Sequence, residues 1–113
     1  MNKHLILIVL AFTMGLFLTS CNQPKLEGTW VEPANSALGE VGFTLMENGK
    51  VENINTGFRN YQTWEKVGDK LILNGVTTGS NPTSFADTNT IISLSDSLLV
   101  IGQDGYSVSY QRK

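Results

Sequence analysis

The sequence predicts an all-β domain made of a single antiparallel sheet, and three observations support that class. Apolar and polar residues alternate with a period of two in short runs, most cleanly from Tyr106 to Arg112. Turn-forming pairs such as Asn48-Gly49 and Asp104-Gly105 separate these runs about every ten residues. After residue 20, no segment carries the 3.6-residue apolar period of an amphipathic helix.

The first predicted strand stands alone, and the next two form a hairpin. Leu26–Glu32 ends at Pro33, which has no backbone N–H to donate to a ladder. Large apolar residues occupy every second position of Val41–Met46, as expected of a strand with one buried face. Asn48-Gly49 accepts the positive φ angles of a tight turn, so the chain is expected to return as a third strand over Val51–Asn55.

Five further strands are predicted in the second half of the chain. They are expected at Tyr61–Val67, Lys70–Leu73, Phe85–Leu94, Leu98–Ile101 and Tyr106–Arg112. Short polar turns join most of them, at Gly68-Asp69, Ser95-Asp96 and Gln103-Asp104-Gly105. A longer polar loop, Thr77–Thr83, precedes the sixth strand, in which we expect a bend near Asp87.

Eight hairpin-linked strands can close into an up-and-down barrel, which removes the exposed sheet edges. A two-sheet β-sandwich is the alternative. In the barrel, the loops that join odd strands to even ones lie at one end. One rim of the barrel would therefore hold the loops Pro33–Gly39 and Thr77–Thr83 and the connections after the third and seventh strands. A helix of one turn would also fit in Pro33–Gly39. We expect a ligand or a partner at this rim.

The first twenty residues predict a signal peptide, Met1–Ser20. Lys3 is basic, and the 14 residues from Leu5 to Leu18 are mostly apolar. A membrane-spanning helix needs about 20 apolar residues, so this segment suits export better than anchoring. Residues 21–25 are then expected to form a tether, and residues 26–113 the folded domain.

Leu18-Thr19-Ser20-Cys21 resembles the lipobox of bacterial lipoproteins. The resemblance implies that the Cys21 thiol carries a diacylglyceryl group and that cleavage occurs before this residue. Cys21 is the only cysteine, so an intramolecular disulfide is excluded. By resemblance to Gram-negative lipoproteins, we expect attachment to the outer membrane through the lipid, facing either the periplasm or the cell exterior. A chance cysteine after an ordinary signal peptide is the alternative.

Composition excludes several functional classes. Residues 21–113 hold seven basic and ten acidic residues without a basic run, which argues against nucleic-acid binding. The single histidine, His4, lies in the signal peptide. Without histidine or a free thiol, the domain lacks the usual general base, the cysteine nucleophile and the ligands of zinc or copper. We therefore predict a protein that is not an enzyme and holds no metal or cofactor.

The opening strand carries Gly28-Thr29-Trp30, and the last strand ends at Arg112. Together with Gly42–Leu45 and the segment from Tyr61 to Leu73, this order of motifs resembles the small lipocalin-like lipoproteins of Gram-negative bacteria. The resemblance implies a barrel whose floor is closed by Trp30, with Arg112 over the indole. Stacking of Trp30 on a ligand is the alternative reading.

Five aromatic residues are candidates for lining a ligand cup or for filling the core: Phe43, Trp64, Phe85, Tyr106 and Tyr110. Strand parity places Tyr61 and Trp64 on opposite faces, so the sequence does not say whether Trp64 points inward. We predict a lipid-anchored envelope protein that binds a small apolar or amphipathic ligand without catalysis. The alternative is a structural or protein-interaction module with a filled barrel.

Overall fold

The computed structural model describes residues 24–33 and 39–113. The predicted signal peptide, Cys21 and most of the Pro33–Gly39 loop lie outside these residues. Their assignments therefore stay predictions. In the described part of the chain, no helix is long and apolar enough to cross a membrane.

Eight β-strands account for the ordered secondary structure of the described residues. In chain order they are β1 Gly28–Val31, β2 Gly42–Leu45, β3 Val51–Ile54, β4 Arg59–Val67, β5 Lys70–Thr77, β6 Ser84–Leu94, β7 Leu98–Gln103 and β8 Tyr106–Arg112. The predicted all-β class and strand number are confirmed.

The fifth strand is longer than predicted, because Gly75 continues the ladder. Asn74-Gly75 has the composition of a turn, yet Gly75 pairs with Tyr61 on β4 and with Phe85 on β6. A Cβ atom at Gly75 would overlap the carbonyl oxygen of Asn60. The glycine therefore permits a close approach of β4 to β5.

The strands form one antiparallel sheet in the order β3-β2-β1-β8-β7-β6-β5-β4. Because β1 pairs with β8, the chain termini of the domain meet inside the sheet, and the two edge strands are β3 and β4. These edges meet through an isolated bridge between Lys50 and Thr63 and a hydrogen bond from Trp64 N to Gly49 O of 2.9 Å. The molecule is a nearly closed up-and-down barrel and not a sandwich.

Two strands change register through bulges. In β4 the shift lies between Tyr61 and Thr63, and in β6 between Ile91 and Ser93. The prediction of a bend near Asp87 is wrong, because the bulge of β6 lies further along the strand, between Ile91 and Ser93. The extra residue in β4 reverses the parity of the side chains that follow it, so Tyr61 and Trp64 both pack against the core.

The core fills one end of the barrel, where β1 begins and β8 ends; we call this the closed end. Its buried side chains come from β1, β2, β3, β5 and β7 and from Leu26, just before β1. They are Leu26, Trp30, Phe43, Leu45, Val51, Leu71, Leu73, Leu99 and Ile101. The opposite end, where the loops after β1, β3, β5 and β7 lie, is the mouth.

Candidate functional site

Trp30 closes the barrel and is inaccessible to a ligand. The side chain is fully buried, and its indole Nε1 donates a 2.8 Å hydrogen bond to the carbonyl oxygen of Leu26. The guanidinium carbon of Arg112 lies 4.2 Å from the centre of the indole ring. A buried donor with a partner and a cation on its face gives Trp30 a structural role.

Arg112 also binds the segment that leads into the barrel. Its Nη1 donates to the carbonyl oxygen of Glu27 at 2.8 Å, and its Nη2 donates to that of Lys25. Its Nε donates to the carbonyl oxygen of Asp96 at 2.7 Å. Gly28 has a φ of +135°, and a Cβ atom there would overlap Arg112 Nη1. The glycine of the Gly-x-Trp motif therefore leaves room for the arginine.

The mouth of the barrel opens into a cup of about 370 Å³. Its floor is apolar, formed by the buried side chains of Leu73 and Ile101. Its wall and rim carry tyrosine rings and polar groups. The full lining is Arg59, Tyr61, Leu73, Asp87, Asn89, Ile101, Gln103, Asp104, Tyr106, Val108 and Tyr110.

Two of the five aromatic candidates, Tyr106 and Tyr110, line the cup. Phe43 lies beneath it with 2% of its surface exposed. The Phe43 ring contacts those of Tyr61 and Tyr110, at centroid distances of 6.2 and 4.9 Å. Phe43 therefore packs beneath the two tyrosine rings and separates the core at the closed end from the cup at the mouth.

Phe85 packs against Tyr61 on the face of β6 that carries Asp87 and Asn89, but it does not line the cup. Its ring meets that of Tyr61 edge-on at 5.7 Å, and the guanidinium of Arg59 lies 4.4 Å above it. Trp64 lies at the closed end and not at the cup. The bulge in β4 turns its ring inward there, where Nε1 donates to Met46 O at 2.8 Å.

A charged pair at the rim was not among the residues proposed from sequence. Arg59 Nη1 lies 3.1 Å from Asp87 Oδ2 and 3.2 Å from Asp87 Oδ1. The guanidinium is thus fixed between a carboxylate and the Phe85 ring, while the Arg59 side chain stays 46% exposed. The predicted fourth strand began at Tyr61 and did not include Arg59. In the structure Arg59 begins β4, and this position brings it to Asp87 on β6.

Asn89 is the buried polar residue of the cup wall, with 8% of its surface exposed. Its Nδ2 donates to the carbonyl oxygens of Leu71 and Asp87, both at 3.4 Å. Bonds of that length are weak, so a ligand acceptor could compete for this amide. The alternation of Phe85, Asp87 and Asn89 along β6 was the sequence signal for one shared face.

Asn53 completes the wall at the seam between β3 and β4. Its Nδ2 donates to the carbonyl oxygen of Tyr61 at 2.8 Å, and its Oδ1 accepts from Tyr61 N at 2.9 Å. A side-chain amide therefore takes the place of a backbone ladder pair. This contact fixes the backbone of Tyr61, which lines the cup, and nothing in the sequence distinguished Asn53 from an exposed strand residue.

The two inner tyrosines present hydroxyl groups rather than phenolates. Burial raises the pKa of Tyr110 far above its ordinary value, and the carboxylate of Glu32 adds to the effect. Burial also raises the pKa of Tyr61, with a further contribution from Asp87. Both hydroxyls therefore stay protonated at neutral pH and can donate or accept hydrogen bonds in the cup.

The described residues contain no group of three or more His, Cys, Asp or Glu side chains that could hold a metal ion. The cup offers apolar contact, aromatic faces and neutral or charged hydrogen-bonding groups. This arrangement suits binding and orienting a small molecule.

Comparison with known proteins decides the family. A family model described as lipocalin-like matches residues 22–113. The chain belongs to the lipocalin-like family. The resemblance drawn from Gly28, Trp30 and the motif order is thereby confirmed at the level of the family.

A solved structure supports the same lipocalin-like barrel. The crystal structure of a lipocalin-like protein from Bacteroides thetaiotaomicron VPI-5482 superposes with a TM-score of 0.73 at 29% sequence identity. The match covers 80% of this chain and 99% of that one. A search of the curated proteins found no match.

Proposed function

We propose that this protein is a lipid-anchored envelope lipoprotein that binds a small amphipathic molecule in its cup without transforming it. The observation that carries the proposal is the open volume of about 370 Å³ above an apolar floor. Small-molecule sites in proteins occupy about 300–1,000 Å³ and combine apolar walls with a few fixed polar groups. A lipocalin-like barrel is suited to holding one such ligand.

The chemistry of the lining supports an amphipathic ligand. An apolar part would lie on Leu73 and Ile101 and against the ring of Tyr110, while a polar part would meet Asn89 or the fixed guanidinium of Arg59. The lining carries one cation and two carboxylates, those of Asp87 and Asp104. This balance disfavours a ligand with several negative charges.

The side chains that line the cup support binding without catalysis. The described residues that line the cup include no histidine and no cysteine. The cup therefore lacks an imidazole base and a thiol nucleophile.

The anchor is proposed from the lipobox. An acylated Cys21 carries two or three chains, which retain a protein stably at a bilayer where one chain would not. Asn22 follows the cysteine, and we propose the outer membrane as the site of attachment.

Mass spectrometry of the protein taken from its own envelope tests both parts. Under denaturing conditions, we expect the mass of a chain beginning at Cys21 plus covalent lipid. Under native conditions, we expect additional mass that dissociates as one small molecule. Unmodified Cys21 would refute the anchor, and a native mass equal to the denatured mass would refute the ligand.

Three variants serve as controls. Cys21→Ala should lose the covalent lipid and membrane retention. Val108→Trp fills the cup and should abolish the dissociable mass, because Val108 lines the cavity. Ser109→Trp adds the same ring at the exposed neighbouring position and should leave the bound molecule in place. Loss of the ligand in both tryptophan variants would argue against binding in the cup.

A second candidate function is protein interaction through the mouth. Phe58 is 78% exposed and Tyr106 is 81% exposed, and both lie at this end of the barrel. Exposed aromatic residues are enriched at protein interfaces. Crosslinking from position 58 to one envelope protein, together with no bound small molecule, would favour this function over ligand binding.

A further inference from the structure

The N-terminal segment of the domain leaves the barrel at its closed end. Pro24–Glu27 shares one groove with Trp64, Lys66 and Leu94. Each of the last three carbonyl oxygens of this segment accepts a hydrogen bond: that of Lys25 from Arg112, that of Leu26 from Trp30 and that of Glu27 from Arg112. The segment is therefore fixed to the barrel and cannot swing toward the mouth without breaking these bonds.

The chain between this fixed segment and Cys21 is short. Three Cα–Cα steps separate Cys21 from Pro24, so the two Cα atoms lie at most roughly 11 Å apart. The nine residues of β4 run from the mouth to the closed end. At about 3.3 Å per residue and a tilt of about 40°, the two ends lie roughly 20 Å apart along the barrel axis. A lipid on Cys21 is thus confined to the closed end.

The closed end also carries exposed apolar side chains at its turns. Val67, before the turn into β5, is 55% exposed, and Leu98, after the turn into β7, is 37% exposed. Lys25 and Lys66 lie beside the groove, and their long stems can cover apolar surface while the ammonium groups reach headgroups. Glu27, Asp69 and Asp96 lie at the same end, so the contact does not depend on net charge.

We propose that the closed end rests on the membrane that holds the lipid and that the cup opens away from this membrane, into the aqueous compartment. The inference rests on the proposed anchor at Cys21. It follows that the cup exchanges its ligand with the aqueous compartment and not with the leaflet beneath it.

Tryptophan quenching tests this orientation. A chain beginning at Cys21 is coupled through its single thiol to a maleimide lipid in vesicles whose lipids carry a nitroxide on the headgroup. Trp64 reports on the closed end. In the Trp64→Phe background, the indole added by Phe58→Trp reports on the mouth. Both proteins retain Trp30, so its emission contributes equally to the two measurements. We expect loss of the Trp64 emission and no loss of the emission added by Phe58→Trp.

Equal or stronger quenching of the indole added at position 58 would overturn the proposal. A long flexible Gly/Ser linker inserted between Cys21 and Pro24 is the matched control, and it should relieve the quenching of Trp64. Unchanged quenching with the linker would also overturn it, because the short tether would then not set the orientation. The maleimide lipid supplies the anchor chemically, so this result does not depend on acylation in the cell. Mass spectrometry under denaturing conditions tests that acylation separately.

Discussion

Arg112 joins three parts of the chain through one side chain. Its guanidinium covers Trp30, binds the carbonyl oxygens of the entering segment and binds Asp96 in the turn before β7. Lysine has no planar fork of donors and could not make these contacts together. The last strand therefore secures the first through specific hydrogen bonds as well as through the β1–β8 ladder.

A double-mutant cycle measures the contact between Arg112 and Trp30. Arg112→Met should lower the free energy of unfolding by about 1–3 kcal/mol, because the Trp30 ring loses its cation and the half-buried carbonyl oxygen of Glu27 loses its donor. Combined with Trp30→Phe, we expect a coupling energy of about 0.5–2 kcal/mol in urea unfolding.

Lys113→Met is the control for that cycle. Lys113 pairs with Glu40 at the surface, and its loss should change stability by less than about 0.5 kcal/mol. Strictly additive losses for Arg112→Met and Trp30→Phe would mean that the cation does not stabilise the indole.

The contacts of a single residue could be predicted where the residue and its partner belong to a known motif. Gly28, Trp30 and Arg112 stand at strand positions that the family pattern fixes. Arg59 and Asp87 lie 28 residues apart, and their pairing depends on the lengths of β4 and β5. No pattern in the sequence supplies those lengths to the required accuracy.

The seam between β3 and β4 joins the two edge strands of the sheet. β3 has four residues and β4 has nine, so much of the β4 edge lies beyond its neighbour. The amide of Asn53 provides two hydrogen bonds to the backbone of Tyr61 at this edge. Asn53 therefore closes the part of the seam beside Tyr61, and the Lys50–Thr63 bridge closes the part nearer the closed end.

Asn53→Ala should open the seam locally. We expect a loss of about 1–3 kcal/mol in the free energy of unfolding, because two backbone groups lose their partners. Hydrogen exchange of the Tyr61 amide should accelerate. The Trp64 amide, bonded to Gly49 O, should keep its protection.

Asn81→Ala, at an exposed loop position, should change stability by less than about 0.5 kcal/mol. An unchanged exchange rate at the Tyr61 amide in Asn53→Ala would contradict the bridging role of this side chain.

Strand number and order were predictable because turns and alternation are local signals. The face of Trp64 was not, because the bulge between Tyr61 and Thr63 reverses the parity of the rest of β4. A bulge leaves no obvious composition signal in this strand. Sequence alternation therefore predicted the number of strands but left the face of Trp64 open, and Phe43, Trp64 and Phe85 do not line the cup.

The whole molecule divides into a filled half and an open half. Trp30, Leu45, Leu71 and Leu99 fill the closed end, and Phe43 lies at the boundary beneath the tyrosines. The filled half supplies the stability of a small domain. The open half can then carry exposed and polar side chains that a packed core would exclude.

This division explains how far the function could be predicted. The closing role of Trp30 was implied by the family resemblance, and Tyr106 and Tyr110 were among the aromatic candidates for the cup. The polar part of the cup, Asn89 with Arg59 and Asp87, was not predicted, because polar residues in strands ordinarily face solvent. The sequence predicted either a ligand cup or a filled barrel, and the hydrogen-bonding groups of the cup became apparent only in the structure.

The most direct test of the account is an NMR titration of the unliganded, isotope-labelled protein with a small-molecule extract of its own envelope. Ligand binding in the cup predicts shifts at the Asn89 side-chain amide and at the methyl groups of Leu73, Ile101 and Val108. The outer-face amide of Ser109 should not move. Shifts confined to the outer face, or none at the cup, would contradict the account.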